Sequence, residues 1–194
     1  MTTEPLISPA EPVTCMKVVV TFMRMLKAPS GQAPVLPDGW EIVPSVSVSV
    51  AEYRRLHHRV GAEYCWWMRQ AQPDAALERL LASGNLQIGY LLKNGAVRGF
   101  FELDLSNIQF INLNYFGLFP EVIGAGVGRR FLDAVIRLAW SYYPVMLQVN
   151  TCSADHPRAL PLYRDAGFEV FRELEEVWPV PQRLGLIIPE RFRI

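Results

Sequence analysis

The chain has 194 residues with 19 basic and 19 acidic side chains, and it is 51% hydrophobic and 20% charged. That balance excludes wholesale disorder and argues against a general nucleic-acid binder, which carries a basic footprint. Three cysteines without a CxxC pair exclude a disulfide framework and a zinc ribbon, so each is expected to pack as a small apolar residue in a reducing, cytoplasmic protein without metal.

Residues 1–14 carry three prolines and few large apolar groups and are expected to form a flexible tail. They are no signal peptide, because Glu4 and Glu11 precede the apolar run Val18-Val19-Val20, and Arg24 and Lys27 interrupt it. No apolar run approaches the roughly 18 residues of a membrane span, so no membrane association is expected. Residues 15–26, rich in Val, Met, Thr and Phe, suit a strand. A Pro/Gly loop follows, and Trp40–Val43 starts a short second strand. Val50, Tyr53, Leu56 and Val60 keep helix spacing within 49–60, and Gly61 closes that helix. The compact aromatic segment Tyr64–Arg69 comes next. Asp74 is expected to cap a further helix with Leu77, Leu80 and Leu81 on one face.

The middle of the chain reads as an antiparallel meander. Residues 86–92 and 96–104 flank Asn94-Gly95, a turn that needs positive φ at both positions. Residues 108–118 form the third strand. Residues 127–140 place Val127, Phe131, Leu132, Val135, Ile136 and Ala139 on one helical stripe. Val145–Val149 is a buried strand. A short helix over 158–166 has Pro161 in its first turn and ends at Gly167. Phe168–Val177 is the last strand. The order predicts one α/β domain over 15–178, with a mixed sheet and helices on both faces. The apolar tail 179–194 packs either on the body or on a partner chain, which would make a homodimer.

The stretch from Pro120 to Arg130 joins a strand to an amphipathic helix and carries glycines at 124, 126 and 128. Glycines let backbone approach a ligand, and the free N–H groups of a helix start favour an anion such as a diphosphate. A P-loop requires Lys and Ser/Thr after its last glycine, but Arg129 and Arg130 stand there. The Rossmann spacing fails because Arg129 occupies the third glycine position. The bland alternative is a tight turn and a helix start.

Residues 113–130 followed by 150–168 resemble the GNAT superfamily of acyl-CoA N-acyltransferases. That superfamily's loop runs Gln/Arg-x-x-Gly-x-Gly/Ala. Gly126 and Gly128 match it, while Ile123 stands where Gln or Arg is usual. A second family pattern is met by Pro157, Ala159, Leu162, Tyr163, Gly167 and Phe168, with His156 in an Asn place. The region 53–69 also resembles a bacterial subgroup of the superfamily.

The resemblance implies a mixed, mostly antiparallel sheet. Its fourth and fifth strands, residues 108–118 and 145–149 by the family's count, splay apart to hold acetyl-CoA. Its diphosphate would lie on the amides of Gly124, Ala125, Gly126, Val127, Gly128 and Arg129. Its pantetheine arm would pair with Phe116, Gly117 and Leu118, with a bulge at Gly117, and Asn150 would hydrogen-bond the arm. Tyr163 would protonate the departing sulfur, the alternative being core packing. Many relatives carry a fourth-strand Glu as base, where Asn112 and Asn114 stand here. Glu102 is then the first candidate base, directly or through water, or else a solvated strand carboxylate. Trp66 and Trp67 would enclose the acceptor, and Arg69 would hold a substrate carboxylate; core packing and a surface arginine are the alternatives. His57 and His58 read as surface or half-buried. The implied activity is acetyl transfer to a primary amine of a small molecule. The alternative is a non-catalytic acyl-CoA-binding sensor or partner module.

Overall fold

A computed structural model of the chain describes residues 6–194. Seven strands form one sheet in the order β2-β3-β4-β5-β6-β1-β7, where β1 is Val13–Met25, β2 Trp40–Val43, β3 Leu86–Lys93, β4 Ala96–Asp104, β5 Phe110–Leu118, β6 Met146–Cys152 and β7 Glu169–Pro181. All pairings are antiparallel except β5 with β6. Asn94 and Gly95 both have positive φ, 49° and 77°, as the hairpin between β3 and β4 demands.

The helices are α1 (Val50–Gly61), α2 (Met68–Ala71), α3 (Asp74–Ala82), α4 (Gly128–Trp140) and α5 (Ala159–Asp165). They cover both faces of the sheet, and neighbouring residues of β4 show it. Phe101 packs with Phe131, Val135 and Ile136 of α4, while Phe100 packs with Tyr53 and Leu56 of α1 and Leu77 of α3. The five apolar residues that α4 buries form the stripe expected from the sequence. Each such side chain contributes about 1.5–3 kcal/mol on burial. Ser49 caps α1 by accepting from the Glu52 N–H at 3.2 Å. Asp74 does not cap α3. Pro73 holds the cap position without a side-chain bond, and Asp74 instead pairs with Arg54. A proline there fixes φ and leaves the first-turn carboxylate free for an ion pair.

Two features set the shape of the cleft. The β5–β6 ladder joins only Phe110 through Leu113 to Met146 through Val149, and beyond it the two strands part. These are the strands expected to splay. In β5 the register against β4 shifts between Glu102 and Leu103, which leaves Asn114 as the extra residue. The bulge is therefore at Asn114 and not at Gly117. Gly117 keeps regular pairing with Phe100, and a Cβ there would lie 2.2 Å from Val60 Cγ1, so close packing of α1 is what requires a glycine.

The two ends of the chain meet beside the first strand. β1 and β7 pair along nearly their whole length, and β7 runs to Pro181, past the expected end of the last strand. Residues 1–5 of the expected N-terminal tail lie outside the described residues. In the rest of it, Leu6 and Ile7 pack on a second core cluster with Ile188 and Phe192, and Glu11 pairs with Arg183 at 2.6 Å. Among the described residues no helix is long and apolar enough to cross a membrane.

Candidate active site

The cleft where β5 and β6 part has a volume of about 750 Å³. One half is made of backbone. After a short 3₁₀ turn at Pro120–Val122, the chain turns through Gly124 and Gly126 at φ of 88° and 75°. These values lie in the left-handed region, where a side chain is strained. A Cβ at either glycine would meet nothing within 4 Å, so the loop faces open space. Val127, at the start of α4, supplies no side-chain cap, and the first helical bond runs from the Phe131 N–H to the Val127 carbonyl at 2.9 Å. Among the described residues the N–H groups of Gly126, Val127, Gly128, Arg129 and Arg130 have no partner. Converging unpaired amides at the positive end of a helix dipole suit a diphosphate.

Gly124, Gly126, Gly128 and Arg129 line the cleft; Ala125 and Val127 do not, and the Val127 side chain is fully buried under α4. Both could contribute only through their main chain, and the Ala125 N–H already donates to the Val122 carbonyl at 3.2 Å. Phe116, Gly117 and Leu118 line the cleft along the parted edge of β5, and Asn150 does so from β6. Tyr163, on α5, is buried yet lines the same cleft, and its hydroxyl has no hydrogen-bond partner among the described residues. Burial first, and then the Asp155 charge, hold this phenol well above the usual tyrosine range. It therefore stays a proton donor at any physiological pH.

The other half of the cleft is made of side chains from four elements. Trp66, between α1 and α2, donates from Nε1 to Asp155 Oδ1 at 3.0 Å. Asp155 Oδ2 accepts from Thr151 Oγ1 at 2.8 Å and from the Cys152 N–H at 2.9 Å. Trp67 turns its bulk into the second core cluster and is 5% exposed. Arg69, on α2, lines the cleft and donates from Nη2 to Glu102 Oε1 at 2.8 Å. Burial works most strongly against this cation, but the Glu102 charge and hydrogen bond, with Tyr53 and Tyr115, together outweigh it, so the guanidinium is held firmly charged. Asn114 donates to the same Glu102 oxygen at 2.9 Å, and Asn112 donates to Asn114 at 2.6 Å.

Glu102 is fully buried and accepts from Tyr53, Arg69 and Asn114. It does not line the cleft. It is therefore neither a solvated strand carboxylate nor a group placed to touch an acceptor. Its strand position turned it inward, where three donors compensate a buried charge. His57 departs from its expected surface place as well. It is completely buried among Tyr53, Trp66, Phe100 and Tyr115 rings, and neither ring nitrogen has a hydrogen bond. Glu102 Oε2 is 4.0 Å from its Nε2, too far for one. Burial, and secondarily the Arg69 charge, push this imidazole well below its usual range, so it is neutral.

Tyr115 and Asp155 also line the cleft and gave no sequence signal; Asp104, which period-two spacing sets on one face of the strand with Glu102, lines it too. Only the bulge at Asn114, a tertiary feature, turns Tyr115 toward α1. The three cysteines are free, with Cys65 buried and Cys15 and Cys152 half-buried. Among the described residues no group of three or more His, Cys, Asp or Glu could hold a metal ion.

No family model matches the sequence, and no curated protein matches it. Solved structures do match. A GCN5-related N-acetyltransferase from Sphaerobacter thermophilus superimposes with a TM-score of 0.63 at 13% identity, over 88% of this chain and 54% of that one. A tandem GNAT protein from the clavulanic acid biosynthesis pathway gives 0.60 at 12% identity, over 88% and 55%. A GNAT family acetyltransferase from Elizabethkingia anophelis, with acetyl-CoA bound, gives 0.51 at 16% identity, over 70% and 80%. The chain spans about half the length of the first two. At these identities the likeness shows the fold alone: a seven-stranded, mostly antiparallel open sheet like that of these GNAT structures.

Proposed function

We propose that the chain is an acyl-CoA-dependent N-acyltransferase. It moves an acetyl group from acetyl-CoA to a primary amine of a small molecule by direct attack in a ternary complex. The observation that carries this reading is the single cleft that joins the unpaired amides at 126–130, the parted edge of β5 and the Tyr163 hydroxyl. The open space over Gly124 and Gly126 fits a diphosphate, and the free backbone of Phe116 to Leu118 fits an amide-bearing arm that adds as a strand.

The acceptor ammonium first loses a proton to solvent. Its nitrogen lone pair then forms the C–N bond, the C–S bond breaks, and Tyr163 gives its proton to the sulfur. The nitrogen sheds its second proton as the amide forms, and that proton restores the Tyr163 phenol, so the net products are the amide, free thiol and one proton. A thiol with a reference pKa of about 8.5 leaves readily, so Tyr163 supplies roughly 10²–10⁴-fold and positioning supplies the rest. A backbone N–H near Leu118 would stabilise the oxyanion. Glu102 acts here as a positioning residue that fixes Arg69 and Asn114. Trp66, Trp67, Arg69, Asn112 and Asn114 form the acceptor wall.

Cytoplasmic residence belongs to the same reading. So does a homodimer, suggested by exposed Val177, Ile187 and Ile194 and tested by sedimentation. Calorimetry with coenzyme A, followed by an amine screen that reads released thiol, tests the function. Uptake and turnover are expected. Uptake without turnover of any amine favours a binding module, and no uptake overturns the reading.

A further inference from the structure

Two opposite charges stand fixed in the acceptor half of the cleft. Asp155 follows β6 and precedes the helix that carries Tyr163, and three hydrogen bonds hold its carboxylate, one of them from Trp66. Arg69 stands on α2 with its Nη2 anchored to Glu102. The arginine side chain is only 17% exposed and lines the cleft, and among the described residues neither its Nη1 nor its buried Nε has a hydrogen-bond partner. A charged donor held so rigidly, with two nitrogens left open, suits an oxyanion of a ligand.

Tyr115 lies between the two. Its ring centroid is 5.0 Å from that of Trp66, which Asp155 holds, and 5.8 Å from Arg69 Cζ. Its hydroxyl has no partner among the described residues, and burial is the largest cause of its raised pKa, which the Arg69 charge opposes and the Glu102 and Asp155 charges support. Asp155 lies just before α5, which carries Tyr163, and both residues line the cleft. The second cleft carboxylate, Asp104, pairs in register with Asn112 near the joined end of β5 and accepts from the Ser106 N–H at 2.9 Å.

From this arrangement we infer that the acceptor is an amino acid bearing a free carboxylate. Its ammonium is received by Asp155 beside the acyl group, its carboxylate by Arg69, and its apolar body by Trp66 and Tyr115. The inference rests on the proposed N-acyltransferase function and deepens it. A monoamine would satisfy Asp155 and leave Arg69 Nη1 and Nε, which Glu102 does not engage, without an acceptor in a partly dry cleft, where unmade hydrogen bonds are costly. The free amino group remains the nucleophile, and atoms balance as in the transfer written above.

The test compares acceptors that differ only in the carboxylate, with acetyl-CoA as donor and released thiol as readout. The pairs are L-phenylalanine against phenethylamine, L-leucine against 3-methylbutylamine, and 4-aminobutyrate against butylamine. In at least one pair the carboxylated member should have kcat/KM higher by about tenfold or more, the equivalent of a single charge-assisted contact. Arg69→Gln should abolish that preference and Arg69→Lys should keep part of it. Asp155→Asn should raise KM for both members of the pair alike. Equal or better use of the monoamines in every pair overturns the inference, and so does turnover of no member of any pair. Coenzyme A uptake by wild-type protein separates the two failures: with uptake the acceptor class alone is wrong, and without it the function falls as well. The wild-type comparison stands even where Arg69→Gln unfolds the protein.

Discussion

The two halves of the cleft are built by different means. The proposed coenzyme half consists of main-chain amides whose direction is set by two glycines and a helix start within a few residues of each other. The proposed acceptor half consists of side chains from α1, α2, β4, β5 and the loop after β6, held by a buried network centred on Glu102 and by the Asp155 contacts. A backbone cradle tolerates most side-chain changes and fails when a glycine is lost. A side-chain network has the opposite weakness, because removing one member strands the others in a low-dielectric interior.

The sharpest way to break this contrast is Glu102→Gln. It leaves the Arg69 cation without its partner, and removal of one member of a buried pair costs about 3 kcal/mol or more. Chemical denaturation should show that loss, while coenzyme A affinity of the protein still folded stays unchanged. Next comes Tyr163→Phe. Turnover should fall about 10²-fold with coenzyme binding intact, since only proton donation is lost. Steady-state kinetics beside calorimetry reads both, and an unchanged kcat would remove Tyr163 from the mechanism.

A third probe, Gly126→Val, forces a β-branched residue to a φ of 75° and projects its side chain into the open space above the loop. The expected cost is roughly 1–2 kcal/mol of backbone strain, and coenzyme A affinity should drop by about tenfold or more. Acceptor specificity should not move.

The smallest effect concerns pH. His57 is buried neutral with its pKa depressed from 6.5. The unfolded chain takes up a proton below that value and the native chain does not. Stability is thus complete above 6.5 and falls as pH drops toward the folded pKa, by roughly 1 kcal/mol between pH 8 and pH 6. His57→Phe should flatten that part of the denaturation profile. Burial of Cys152 raises its thiol pKa to about 12, so alkylation of this cysteine at pH 8 should be slow.

Much of the fold was legible because local rules coincide with it. Asn94-Gly95 demanded a hairpin, and the α4 stripe demanded burial on one side. The same holds for the turn before α4, where Gly124 and Gly126 take the positive φ that sets backbone direction. The acceptor half was less legible. Glu102 and Asp104 share a strand period, yet one is buried and the other lines the cleft, because packing of α1 and the bulge at Asn114 decide what each meets. His57 gave no sign of burial, since helix spacing cannot say how wide an apolar face will be covered.

The sequence by itself determined the element order, the meander, the glycine turn and the helix behind it, since each follows from torsional preference and periodicity within a short window. Tertiary structure alone decided which charges became buried partners, where the sheet opens, and that Asp155 and Arg69 share one cleft. Those outcomes depend on residues far apart in the chain, and desolvation selects among them only once the surrounding elements have closed.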